Sequence, residues 1–226
     1  MLLSVVIPVR KEAGDIGVIF DRLRKALANL SWEILFVDDG STDQTTAAIR
    51  ELAAYDRRIR PLQCSRKFGH QAAVTAGLDF AEGDAVVVMD GGLHDPPELL
   101  PRMVSYLAQG YDMVSLRHSI RGDKSRTRCV TPRILHRVMS SLTSRPLTTD
   151  PGDLRLFSRR AVLALRSLPE QHRSVPAITN WLGLREIVIP FERSARDAGQ
   201  TRFSLLRMLR YAWTAIISFF ALSLRP

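Results

Sequence analysis

The stretch VVVMDGGLHDPPELL, residues 86–100, indicates the fold of this chain most directly. Three valines run into Met89 and Asp90, which is the pattern of a buried strand that ends in a carboxylate. Gly91 and Gly92 follow, and two prolines then open a segment with helical character. A buried strand followed by a loop of small side chains is typical of a ligand site in an α/β protein.

The same change from strand to helix recurs along the first half of the chain, in the order βαβαβαβαβ. This order predicts an α/β fold with a mostly parallel sheet and helices on both faces. Ligands bind beyond the carboxyl ends of such strands, where the acids of VDDGS and MDGG fall. The GxGxxG fingerprint of dinucleotide sites is absent after the first strand. Ser41 or Thr42 is predicted to cap the second helix. The predicted strands are LSVVIPV, WEILFVDDG, IRPLQC, DAVVVMD and YDMVSLRH.

The second half is less regular. A short strand and a helix are predicted in DLRLFSRRAVLALRSL, a helix around RILHRVMSSL, and a late strand in REIVIPFER. Tyr211–Leu224 is a run of 14 residues without charge, flanked by arginines. Because a spanning helix needs roughly 20 apolar residues, this run favours an amphipathic helix that lies on a membrane surface or docks on a partner.

The charge of the chain is unevenly distributed. Hydrophobic residues make up 46% of the 226, enough for a packed core, which excludes a wholly disordered chain. Residues 1–116 hold 12 Lys and Arg against 16 Asp and Glu, a formal charge of −4, whereas residues 117–226 hold 20 against 7, or +13. An acidic half suits cations or hydroxyl-rich ligands. A basic half suits phosphates, anionic membranes or nucleic acid, unless it is only a solvated face.

Six motifs, which follow one another along the chain, indicate a known family. They are SVVIPVRKEAG, ILFVDDGSTDQT, RKFGHQAAVTAGLDFAEGD, VVVMDGGLHDPPELLPRM, GYDMVSLR and DPGDLRLFSRR. Together they resemble the family 2 glycosyltransferases of the dolichol-phosphate mannosyltransferase type, and especially bacterial enzymes that move a sugar from a nucleotide sugar to a polyprenyl phosphate. The resemblance runs from Ser4 to about Arg225. It implies the Rossmann-like GT-A fold and inverting transfer.

The resemblance also implies a division of the chain. Residues 1–203 would form the GT-A domain, with a nucleotide-sugar half at 1–116 and an acceptor half at 117–203. Residues 204–226 would form the amphipathic juxtamembrane helix. Relatives usually continue beyond this point into membrane-spanning helices. Two interpretations of the chain therefore stay open: anchoring by the surface helix alone, or a truncated relative.

The donor site is expected at the ends of the first, second and fourth strands. Carboxylates there would accept hydrogen bonds from ribose hydroxyls. For Asp38 and Asp39 the alternative is capping of the following segment, with Asp39 the better ligand of the two. By resemblance, the residues that hold the nucleotide sugar are Pro8, Val9, Arg10, Glu12, Asp39, Asp90 and Gly91.

The predicted metal motif departs from the pattern of the relatives. They usually carry Asp-Ala-Asp-Leu-Gln-Asp, which binds Mg²⁺ or Mn²⁺, and here Asp90 keeps the first acid while Gly92 replaces the second. His94 or Asp95 would complete the coordination in one interpretation, although Asp95 is also a candidate helix cap. In a second, Asp90, the diphosphate and water suffice. In a third, the site is crippled.

The acceptor phosphate is expected to meet the basic half, because the planar guanidinium fork suits phosphate oxygens. Asp153, by resemblance, lies near the acceptor. It would orient the phosphate rather than remove a proton, since a lipid phosphate is largely ionised at neutral pH. An ion pair with Arg155 is its alternative role. The candidate phosphate contacts are Arg117, Arg193, Arg196 and Arg202.

The expected partners are a nucleotide-diphosphate sugar, a lipid phosphate and the membrane surface. RNP, KH and helix-turn-helix signatures are absent, so nucleic acid is not expected. Cys64 and Cys129 lack CxxC spacing, and the N-terminal apolar run is too short for a signal peptide. These features predict a peripheral protein on the cytoplasmic face of the membrane. A homo-oligomer stays open, as does a second function: a nucleotide-binding, non-catalytic partner or regulator of membrane enzymes.

Overall fold

A computed structural model of the chain describes residues 1–92, 95–118, 154–167 and 183–191. The predicted helix around RILHRVMSSL and the C-terminal helix 204–226 lie outside these ranges. A short 3₁₀ helix at Pro97–Leu99 precedes the fourth α-helix. In chain order the elements are β1 (Leu2–Val9), α1 (Ile16–Ala26), β2 (Ser31–Asp38), α2 (Thr45–Tyr55), β3 (Ile59–Gln63), α3 (His70–Phe80), β4 (Ala85–Val88), α4 (Leu100–Ala108), β5 (Met113–His118), β6 (Arg155–Ser158), α5 (Arg159–Arg166) and β7 (Glu186–Phe191).

The strands form one sheet in the order β3-β2-β1-β4-β6-β5-β7. β1 pairs in parallel with both β2 and β4, β2 with β3, and β5 with β7. β6 is antiparallel to both of its neighbours. The predicted mostly parallel sheet is therefore confirmed. The place of β6 between β4 and β5 is a tertiary feature that the linear order of elements did not indicate.

Helices cover both faces of the sheet, as predicted. Side chains along a strand alternate between faces, so Val5 and Ile7 of β1 belong to one apolar cluster and Val6 to the other. The first cluster includes buried residues of α1, α2 and α4, and the second includes those of α3 and α5. The sheet thus lies between two helical layers.

The helix α2 begins later than predicted. Ser41 or Thr42 was the expected cap, but the helix starts at Thr45, and Gln44 before it makes no side-chain capping bond. Instead, Asp43 accepts hydrogen bonds from the backbone N–H of Thr45 at 3.2 Å and from its hydroxyl at 2.6 Å. This local turn delays the helix and leaves residues 39–44 as a loop at the edge of the sheet.

No helix within the described ranges is long and apolar enough to cross a bilayer.

α3 lies unusually close to β1. A Cβ atom added at Gly77 would lie 2.1 Å from Cγ1 of Val6. We expect Gly77→Ala to lower the free energy of unfolding by about 1–3 kcal/mol, since the methyl group overpacks a buried interface. Urea-induced unfolding measures the change.

Gly17 on α1 provides the matched control. Nothing lies within 4 Å of a Cβ added there. Gly17→Ala is expected to leave the stability unchanged or to raise it by up to about 1 kcal/mol, because alanine is the better helix former. Equal unfolding free energies for the two variants would contradict the close contact of α3 with β1.

Candidate functional site: the carboxyl edge of the sheet

β1 to β4 run in the same direction, so the loops that follow them meet at one edge of the sheet. There the N–H of Asp39 donates to the carbonyl of Val9 at 3.0 Å, and the N–H of Glu12 donates to Oγ1 of Thr45 at 3.0 Å. Pro8 and Val9 are buried and Arg10 is exposed. The end of β1 and the loops after β1 and β2, which carry residues predicted to bind the nucleotide sugar, thus lie together.

Asp38 closes the turn that leads into α2. Its side chain is buried, and it accepts hydrogen bonds from the N–H of Ser41 at 2.9 Å and from the hydroxyl of Thr46. Asp38 was considered as a nucleotide ligand or as a cap of the following segment. Its hydrogen bonds give it the second, structural role at the start of α2.

Asp39 holds the loop that precedes α3. Its buried carboxylate accepts the N–H of Phe68 at 2.6 Å and that of Gly69 at 3.0 Å. Gly40 lets this loop approach, because a Cβ atom there would lie 2.6 Å from the carbonyl carbon of Arg66. Asp39 thus lies at the expected edge, with its oxygens engaged by backbone, and nucleotide binding by Asp39 stays a prediction.

Glu12 packs against Gly91. A Cβ atom at position 91 would lie 2.1 Å from Oε2 of Glu12 and 2.7 Å from Cγ1 of Val9, so Gly91 leaves the space that Glu12 fills. Oε2 is buried and has no hydrogen-bond partner in the described part of the chain. Burial, aided by the negative charges of Asp15 and Asp43, raises the pKa of Glu12 to about 7.

Asp90 lies two residues after the end of β4, and 41% of its side chain is exposed. Nε2 of His70 is 3.8 Å from its Oδ1, and the His70 side chain is 30% exposed. His70 is the first residue of α3. The sequence pattern indicated only a helix here, and His70 was not among the predicted site residues. Its position directly after the loop that follows the third strand could have identified it, because that loop lies at the same edge of the sheet.

Asp95 supports the loop that carries Asp90. It is buried, and its Oδ2 accepts the N–H of Asp90 at 3.1 Å. This contact gives Asp95 a structural role, and metal binding by Asp95 stays a prediction. His94 lies outside the described residues.

The acceptor half is described only in part. Arg155 of β6 pairs with Val88 of β4, so β6 begins near the edge at which β4 ends. The backbone of Arg117 in β5 is paired with Pro190 of β7, one residue before the last pair of these two strands. β5 runs in the same direction as β4, so its carboxyl end faces the same edge. Asp153, Arg193, Arg196 and Arg202 lie outside the described residues.

The donor atoms at this edge fit a divalent ion that has few protein ligands. Asp90 offers a part-exposed carboxylate and His70 a part-exposed imidazole nitrogen 3.8 Å away. Within the described ranges no group of three or more His, Cys, Asp or Glu is arranged to hold a metal. Mg²⁺ commonly keeps water and binds substrate phosphates with one or two carboxylates, and such a site needs no larger cluster.

Comparison with known proteins identifies the family. The model of glycosyl transferase family 2 matches residues 4–166. The chain belongs to glycosyl transferase family 2. An uncharacterised glycosyltransferase of Bacillus subtilis, YkcC, is 34% identical over 218 residues, which are 96% of this chain and 68% of the relative. The bactoprenol glucosyl transferase of Shigella phage SfV is 34% identical over 227 residues, with 100% of this chain and 74% of the relative covered.

A solved glycosyltransferase has the same fold. The mannosyltransferase PcManGT from Pyrobaculum calidifontis, solved in complex with GDP-Man and Mn²⁺, superposes with a TM-score of 0.67 at 21% identity. The match covers 99% of this chain and 64% of that chain. The predicted GT-A fold of this family 2 glycosyltransferase is confirmed.

The buried carboxyl group of Glu12 predicts a pH effect on stability of the metal-free glycosyltransferase. Its pKa of about 7 lies above the value near 4.5 expected for the unfolded chain. The neutral carboxyl group of Glu12 therefore contributes to the stability of the folded state, fully below pH 4.5, and this contribution is lost as the pH rises through 7. We expect Glu12→Gln to match the parent protein near pH 4.5. At pH 8 the variant should be more stable by on the order of 2 kcal/mol, a value reduced for partial solvent screening.

Chemical denaturation of both proteins between pH 4.5 and 8 measures this difference. Glu51→Gln, at an exposed position on α2, is the matched control. Parallel stability curves for the parent and Glu12→Gln would show that the carboxyl group of Glu12 is not protonated preferentially in the folded state.

Proposed function

We propose that this glycosyltransferase moves a sugar from a nucleotide-diphosphate sugar to a polyprenyl phosphate with inversion at the anomeric carbon. The observation that carries the proposal is the part-exposed carboxylate of Asp90 at the strand edge of a chain that matches bactoprenol glucosyl transferases over its full length. Several such relatives from Shigella and its phages match all of this chain.

The donor would bind across the loops that follow β1, β2 and β4. Support comes from the backbone bonds that join these loops and from the exposed end of Asp90. The residues of this proposed donor site are Pro8, Val9, Arg10, Glu12, Asp39, Asp90 and Gly91. Asp90 would hold Mg²⁺ or Mn²⁺, and the chemistry that such an ion supplies when bound is electrostatic stabilisation of the leaving diphosphate.

The acceptor would approach from the side of β5 and β6. An ionised oxygen of the lipid phosphate forms the new bond to the anomeric carbon, and the bond from that carbon to the diphosphate breaks with its electron pair. No proton has to leave the acceptor, since its second pKa is near 6. Asp153 therefore orients the phosphate. Arg117, Arg193, Arg196 and Arg202 are the proposed phosphate contacts, for which guanidinium groups are well suited.

The proposed arrangement at the membrane rests on the charge and sequence of the second half. Residues 1–203 would be the catalytic domain, divided at residue 116, and residues 204–226 would lie on the cytoplasmic surface of the membrane. The excess of basic residues after position 116 favours contact with anionic lipid.

Nucleotide binding tests the donor site. Isothermal titration calorimetry with UDP, GDP and their sugar conjugates, with and without Mn²⁺, is expected to show binding of one nucleotide that strengthens with the metal. In Asp90→Ala the gain from Mn²⁺ should disappear, because the exposed carboxylate at the edge is lost. Asp21→Ala, an exposed acid on α1, is the matched control and should behave like the parent protein. If no nucleotide binds under either condition, the proposed transferase function is wrong.

The second candidate function, a non-catalytic relative, is motivated by Gly92 and is not favoured, because the named homologues are transferases. Gly92→Asp separates the two functions. For a working enzyme we expect tighter Mn²⁺ binding and sugar transfer to polyprenyl phosphate at least equal to that of the parent protein. Transfer of radiolabelled sugar in detergent measures this. If Gly92→Asp binds Mn²⁺ more tightly than the parent protein and neither protein transfers sugar, the result supports the non-catalytic relative.

A further inference from the structure

His70 and Asp90 form a pair of potential metal ligands at the edge of the sheet. Nε2 of His70 and Oδ1 of Asp90 are 3.8 Å apart, which is too far for a hydrogen bond. Two ligands of one divalent ion, each about 2.1 Å from the metal, lie roughly 3 to 4 Å apart. The separation therefore suits a shared ion. Both side chains are partly exposed, so an ion and a diphosphate have access to them.

The backbone around His70 holds it in this place. Asp39 accepts the N–H groups of both Phe68 and Gly69, and α3 starts at the next residue. Gly69 has a φ of 109°, a conformation that favours glycine. The start of α3 is thus tied to the end of β2, and His70 is directed by backbone bonds rather than by a flexible loop.

Asp90 is held as firmly on the other side of the pair. The N–H of Met89 donates to the carbonyl of Val6 at 3.1 Å, which keeps the chain beside β1 up to the residue before Asp90. The N–H of Asp90 itself donates to the buried Asp95. His70 therefore belongs to a helix, and Asp90 to a short loop fixed by hydrogen bonds to β1 and to Asp95. Such fixed positions are what a preorganised metal site requires.

We propose that His70 is the second protein ligand of the divalent ion that Asp90 binds, and that this nitrogen makes up for the acid absent at Gly92. The inference rests on the proposed function. An imidazole ligand strengthens binding of transition metals, whereas Mg²⁺ strongly prefers oxygen. His70 consequently makes the site selective for Mn²⁺ over Mg²⁺.

The test identifies the ligands of the bound metal and also measures its affinity. Pulsed electron paramagnetic resonance of Mn²⁺ bound with UDP or GDP, whichever the calorimetry selects, is expected to show nitrogen coupling from an imidazole. His70→Gln should remove this coupling and weaken Mn²⁺ by at least about tenfold, the lower end of the effect of losing even an outer-shell partner. Mg²⁺ affinity should change by less than about twofold.

Two further variants sharpen the result. His70→Asp supplies an oxygen in place of the nitrogen and should shift the preference from Mn²⁺ toward Mg²⁺. His94→Gln removes the histidine that the sequence alone suggested as a ligand, and nitrogen coupling should persist in it. Circular dichroism confirms that each variant is folded, which we expect because His70 is partly exposed at the first position of a helix.

The outcomes separate the inference from the proposed function. If His70→Gln keeps both the nitrogen coupling and the Mn²⁺ affinity, the inference is wrong and the transferase function stands. Loss of the coupling in His94→Gln instead of His70→Gln also overturns it. If the parent protein binds neither nucleotide nor Mn²⁺, both the inference and the proposed function are wrong.

Discussion

The carboxylate of Asp39 joins two loops at the carboxyl edge of the sheet, and the arrangement of the site depends on it. It accepts the N–H groups of Phe68 and Gly69, while its own N–H donates to Val9. Hydrogen bonds to an ionised acceptor are stronger than neutral ones, and a buried acceptor is costly to leave unpaired. These bonds set the start of α3. Because His70 is its first residue, the approach of the imidazole to Asp90 follows from the position of Asp39.

Missing side chains are as important to this edge as the acids are. Gly40 permits the loop after β2 to touch the loop before α3, and Gly91 leaves room for the carboxyl group of Glu12. Gly77 brings α3 against β1 in the layer below. A methyl group at any of these positions would meet an atom at less than 3 Å, so the neighbouring backbone or side chain would have to shift.

The acids of the edge have different tasks. Asp38, Asp39 and Asp95 are buried, and each accepts a backbone N–H. Glu12 has a pKa near neutrality, so part of its population is uncharged at physiological pH. Asp90, in the loop after β4, has a part-exposed carboxylate.

Much of the fold follows from local sequence. The apolar runs and the helical stripes identify β1 to β5 and α1 to α4, since periods of 2.0 and 3.6 residues are properties of single segments. Alternation of strand and helix implies parallel strands, and parallel strands bring the acids of VDDGS and MDGG to one edge. The motifs also identify the family and Asp90. All of this depends on residues close together in the chain.

Tertiary structure alone decided how the pieces meet. The antiparallel β6 between β4 and β5 joins segments far apart in sequence, and no local pattern specifies a strand's neighbours. Whether Asp39 faces a ligand or a backbone depends on the loop that reaches it from β3. The pairing of His70 with Asp90 likewise depends on two loops whose distance is set by the packing of α3 on the sheet. Such contacts arise between elements, so the period within any one element carries no record of them.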